Sequence, residues 1–108
     1  MKLLTKAIEK KLEKFPLNSQ DGKGVEANVL CKFFAPVGSW TWYVLDGEKQ
    51  EDGDWMFFGI VVNDYGAEYG YFGLRELEKL SLPFGLKVER DLYFDGCFVK
   101  DLGDIVDF

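Results

Sequence analysis

Four strand-length apolar runs crowd into the middle of this chain, and they limit what it can fold into more than any other feature. They are Val29-Leu30-Cys31-Lys32-Phe33-Phe34, Trp40-Thr41-Trp42-Tyr43-Val44-Leu45, Trp55-Met56-Phe57-Phe58-Gly59-Ile60-Val61-Val62 and Glu68-Tyr69-Gly70-Tyr71-Phe72. Each is rich in β-branched and aromatic residues and bounded by Gly, Pro, Asp or Asn, which predicts neighbouring strands of one antiparallel sheet. Period-2 alternation sets Val29, Cys31 and Phe33 on one face of the first strand, with Leu30, Lys32 and Phe34 on the other. In the second, Trp40, Trp42 and Val44 share a face opposite Thr41, Tyr43 and Leu45. The third run is apolar almost throughout, as expected of a central strand covered on both faces. Helices are expected on one face, and a second copy of the chain (a homodimer) is one candidate cover for the other.

The flanking segments read as helices and a further strand. Leu4, Ile8, Leu12 and Phe15 recur at helical spacing among lysines and glutamates, so a helix is expected over 4–14, with Thr5 as N-cap and Pro16 as its stop. Leu74, Leu77 and Leu80 form the stripe of a second short helix between Gly73 and Pro83. The alternation over 86–94 predicts a fifth strand, and Asp95-Gly96 is a two-residue turn signal from which 97–99 would pair back, ahead of a short acidic tail over 100–108. The fold expected is α+β: one domain spanning 1–108, an antiparallel sheet of about five strands, with an N-terminal helix and a second short helix packed on it.

A core of this kind needs no covalent staple. Aromatic residues make up 17% of the chain, and each buried ring removes about 150–250 Å² from water. Cys31 and Cys97 do not form a disulfide framework, and Cys31 falls inside a strand as a small hydrophobe. The start, Met1 to Lys6, returns to charge too soon for a signal peptide, and no apolar run nears the ~18 residues of a membrane span. The expectation is a reduced, cytoplasmic protein with no membrane partner. Charge is uneven: five lysines against two glutamates give residues 1–15 a charge of +3, which leaves −9 for the rest of a chain whose total is −6. A basic end is joined to an acidic body.

Reactive chemistry is sparse. Without histidine the usual general base, zinc ligand and Ser-His or Cys-His nucleophile are missing. Ser19, Ser39 and Ser81 have no nucleophile context, and the loop over 18–24 lacks P-loop spacing. Counting an EF-hand from Asp46 puts Glu51 where glycine is required. No catalytic residue, metal set or cofactor is therefore assigned. The candidates left are binding residues. Lys10, Lys11 and Lys14 form either a phosphate-contacting face or an ordinary solvated helix surface. Trp40 is either an exposed stacking platform or part of the core. Glu48, Glu51, Asp52 and Asp54 either occupy a basic groove of a partner or make a soluble hairpin connection. Arg90, between Glu89 and Asp91, is either a contact residue or the fork of a structural carboxylate pair.

Several segments taken together resemble a known family. Met1 to Thr5, the strand Val29 to Phe34 leading into Gly38-Ser39-Trp40-Thr41-Trp42-Tyr43, Asp52 to Gly59, Glu68 to Glu78 and Leu82 to Phe94 have the order and spacing of domain of unknown function family 2958. Its small domains are frequently encoded on bacterial plasmids, phages and conjugative elements. The resemblance covers nearly the whole chain up to Asp95. It implies a non-enzymatic interaction protein of a mobile genetic element. Some members resemble anti-CRISPR proteins, which implies a CRISPR nuclease of the Cas9 type, or its guide RNA, as the partner. Some members carry a nuclease label, so a metal-dependent nucleic-acid hydrolase is the alternative, and a structural or accessory domain is the third. No family site residue transfers to a position in this sequence.

Overall fold

Helix α1 (Lys6–Lys14) begins two residues later than the expected 4–14, directly after the expected cap: Thr5 is the N-cap, and its hydroxyl accepts the Ile8 N–H at 3.2 Å. In this computed structural model, which describes residues 2–103, the helix lies against one face of a five-stranded antiparallel sheet. The strands are β2 (Cys31–Phe34), β3 (Thr41–Lys49), β4 (Trp55–Asn63), β5 (Gly66–Gly73) and β6 (Glu89–Arg90), in the spatial order β5-β4-β3-β2-β6. A separate two-stranded ribbon pairs β1 (Asn28–Val29) with β7 (Cys97–Phe98). The second helix, α2 (Leu74–Lys79), follows β5 directly, with Gly73 as its N-cap and the Glu76 carboxylate accepting the Gly73 N–H at 3.1 Å. The α+β class, the antiparallel sheet and the two helices all match the expectation.

The centre of the sheet is covered on both faces, as the apolar run in β4 leads one to expect, while much of β5 stays exposed. On one face Ile8 and Leu12 of α1 and Leu77 of α2 pack with Cys31, Phe33, Trp42, Val44, Phe57 and Phe72. On the other, Tyr43, Leu45 and Ile60 pack with Ala27, Val29, Val99 and Leu102, and Phe58, Phe94 and Cys97 border them. The second face is thus roofed by the chain's own C-terminal segment, where a second copy was the candidate cover.

Five sequence expectations are corrected. The first strand is not continuous: it breaks at Leu30, whose N–H bonds to the Val44 carbonyl at 2.8 Å. The break moves Val29 to the face opposite Cys31 and Phe33. Strand β3 runs past Leu45 to Lys49 because a bulge between Val44 and Asp46 absorbs one residue and the ladder then resumes with Asp46↔Phe58. Of the long strand expected over 86–94 only Glu89–Arg90 pairs, since β2, its neighbour, is itself short. Finally, Cys97–Phe98 pairs with β1, not back on β6. Helix α2 also stops before Leu80, which is left exposed. The end of the expected acidic tail, 104–108, lies outside the described residues.

The bulge gives Asp46 a structural task. Its side chain is fully buried, and its two carboxylate oxygens accept the N–H groups of Asn18 at 3.0 Å and Gln20 at 3.2 Å. Gln20, also buried, donates from Nε2 to the carbonyls of Asn28 (2.8 Å) and Leu45 (2.5 Å) and accepts the Asn28 N–H at 2.7 Å. These bonds stitch the polar loop after α1 to the sheet and, through Asn28, to the start of β1.

Candidate functional site

A cleft of about 560 Å³ opens between α1 and the β1–β7 ribbon. One wall is the outer side of α1. With Ile8 and Leu12 committed to the core, helical spacing turns Lys10, Lys11 and Lys14 outward, and all three line the cleft together with Glu13 and Phe15. The facing wall is the turn Asp95-Gly96 and strand β7, and Asn28, Val29 and Leu30 line the space between. Three ammonium groups against the carboxylates of Glu13 and Asp95 leave the lining with one net positive charge.

Phe98 is the aromatic member of the facing wall. It is 41% exposed, yet its backbone is held on two sides: it pairs with Asn28, and its N–H donates to the Asp101 carboxylate at 2.9 Å. The Lys100 ammonium sits over the ring, 5.3 Å from its centroid, and also pairs with Glu26 at 3.2 Å. Beside it, burial raises the pKa of the Cys97 thiol, with the Asp101 charge adding to the effect, and favours its protonated form.

Of the binding candidates, the fold gathers the three lysines in one place and leaves the others outside the cleft. Trp40 is 46% exposed and stacks on buried Trp42, centroids 5.8 Å apart, ahead of β3. The acidic hairpin is partly occupied by its own chain. Asp52 accepts the Asp54 N–H at 2.9 Å and lies 3.8 Å from the Arg75 guanidinium, which also donates to the Asp52 carbonyl at 2.8 Å. Asp54 accepts the N–H groups of Trp55 at 2.8 Å and Arg75 at 3.0 Å, fastening the hairpin to the first turn of α2. Glu48 and Glu51 are exposed. Arg90 donates to the backbone carbonyls of Lys2 and Leu3, anchoring the segment before α1, and the carboxylate of Asp91 pairs with Lys32 at 3.4 Å. Among the described residues no three Asp, Glu or Cys side chains converge as a metal-ion set would.

Sequence reasoning did not single out Phe98. A lone phenylalanine after Asp95-Gly96-Cys97 carries no local mark, and its position opposite α1 follows from the pairing of β7 with β1. The turn signal at Asp95-Gly96 was the available clue, but it does not name the strand that receives the returning segment.

No curated protein matches the chain, and no solved structure matches it. A family model described as a protein of unknown function (DUF2958) matches residues 3–100, from the segment before α1 through the β7 wall of the cleft. By that match, the chain belongs to the DUF2958 family.

Proposed function

We propose that this chain is a non-enzymatic interaction protein that grips an anionic partner in the cleft between α1 and β7. The observation that carries this reading is the convergence of Lys10, Lys11 and Lys14 on one side of an open, partly aromatic cavity in an otherwise acidic chain. Lysines on a helix face bind phosphates as mobile point charges and impose no sequence preference. The family resemblance read from the sequence extends the proposal: a protein of a mobile genetic element, with the guide RNA of a CRISPR nuclease as the anionic partner.

The test is equilibrium binding of a labelled guide RNA to the purified protein at several salt concentrations. Three phosphate contacts to a single strand predict a slope of log K against log salt of about −2. Charge reversal at Lys10, Lys11 and Lys14 should abolish binding, and the wild-type protein should slow cleavage by a matched nuclease. Absence of RNA binding at low salt, or binding unaffected by the triple reversal, refutes the cleft. Cleavage of the RNA by the pure protein in the presence of Mg²⁺ or Mn²⁺ refutes the non-enzymatic part and favours the hydrolase.

A further inference from the structure

We infer that the cleft takes a single-stranded polynucleotide, with the Phe98 ring as the platform on which one base stacks; this rests on the reading of the cleft as an anion site. The two walls offer different chemistry to the same ligand. The α1 wall presents three ammonium groups, and the β7 wall presents a ring that is 41% exposed. Each nucleotide of a single strand carries a phosphate in its backbone and an unpaired base projecting from the sugar, so phosphates held along the helix leave bases free to reach across to β7. A ring whose backbone is fixed by strand pairing and by the Asp101 carboxylate has little freedom left to lose when a base covers it. The Lys100 ammonium over the ring, held there by Glu26, adds a cation–π contact that further fixes the ring.

Charge excludes the duplex. Double-stranded nucleic acid carries one phosphate charge per roughly 1.7 Å of axis, and its base faces are already covered by their neighbours. Three lysines, offset by Glu13 and Asp95 in the lining, cannot neutralise that density against a chain of net charge −6. A single strand has fewer charges to neutralise and an open base face that stacks whatever its sequence. Lining by Asn28 adds an amide that can donate and accept at a base edge.

The experiment compares wild-type protein with Phe98→Ala and Phe98→Leu by fluorescence anisotropy. The probes are labelled oligo(U), oligo(A) and a blunt RNA duplex, with EDTA present. Leu keeps apolar bulk without a π face, so it separates stacking from packing, and near-UV circular dichroism checks that each variant is folded. Single strands should bind at least tenfold tighter than the duplex. Loss of the ring should weaken them by about 5- to 150-fold, the equivalent of roughly 1–3 kcal/mol for one stacked base, with the salt slope unchanged. A 2-aminopurine base in the strand should be quenched by the wild-type protein and not by Phe98→Leu. Equal binding of single strand and duplex, abolished by the lysine reversals but indifferent to Phe98, overturns the stacking inference and leaves the anion cleft standing. Binding of neither overturns both.

Discussion

Gly59 and Gly70 are cross-strand partners in the β4–β5 ladder, yet a methyl group at the two positions should have opposite consequences. A Cβ added at Gly59 would overlap the Tyr43 carbonyl oxygen, stand 2.9 Å from the carbonyl carbon and 3.2 Å from the Val44 Cα. All three atoms are backbone of the neighbouring strand, just ahead of the bulge between Val44 and Asp46, so no side-chain rotation relieves the clash. Strand β3 must move off β4, and in a close-packed layer that movement has two costs. Two or three ladder hydrogen bonds beside the pair are broken, at about 1 kcal/mol each, and the adjoining Phe57 and Ile60, both fully buried, are overpacked at about 1–3 kcal/mol. The sum is about 4 kcal/mol. For a domain of this size that is a fall in Tm of roughly 15–30 °C. At Gly70 an added Cβ meets no heavy atom within 4 Å. Gly70→Ala should therefore leave stability unchanged or raise it by up to about 1 kcal/mol, the cost of glycine's freedom in a strand. Urea and thermal unfolding followed by near-UV circular dichroism measure both. A Gly59→Ala protein within 1 kcal/mol of wild type would refute the reasoning, because the strands would then not approach as closely as described.

The remaining predictions concern buried polar groups and thiols. Burial raises the Asp46 pKa against the lowering effect of its two amide bonds, so the folded state holds this proton more tightly than the unfolded chain. The stability this group contributes is full below the ordinary value of 3.8 and is lost as pH rises through the elevated folded value. Asp46→Asn forfeits one acceptor at every pH, and its penalty relative to wild type should be largest in acid and shrink toward neutrality in unfolding curves from pH 3 to 7. Gln20→Ala removes three hydrogen bonds around Asn28 and Leu45 and should cost about 1–3 kcal/mol in urea unfolding, a loss of less than 0.5 kcal/mol counting against the stitching role. Arg75→Ala should cost under about 1 kcal/mol by the same assay, because its ion pair with Asp52 is exposed. Burial pushes the Cys31 thiol up to about 12 and raises that of half-buried Cys97 as well, so native protein at pH 8 should react with a disulfide reagent slowly and at Cys97 alone, and rapidly at both cysteines only after denaturation.

The local features were legible because the signals that make them are local. Apolar alternation placed Trp42 and Val44 on one face and Tyr43 and Leu45 on the other, and the packing agrees. Thr5 was readable as a cap because its bond to Ile8 spans a single turn. The lysine side of α1 was readable for the same reason, since helical period alone sets which residues turn away from the core. Leu30 and Asp46 were misread because a strand break and a bulge change the period by one residue, and no residue type announces either. Arg90 donates to the carbonyls of Lys2 and Leu3 at the far end of the chain, a long-range anchor that its acidic sequence neighbours do not announce.

From its sequence alone this protein was bound to form an antiparallel aromatic sheet with an amphipathic, lysine-faced helix at its start, because hydrophobic period and turn residues act over a few positions. Tertiary structure alone decided that β7 pairs with β1, that the C-terminal segment roofs the second face of the sheet, and that Phe98 therefore stands across a cleft from Lys10, Lys11 and Lys14. Those contacts join residues far apart along the chain. Their free energy comes from burying shared apolar surface, a quantity that depends on the whole packed layer and leaves no periodic mark on either partner.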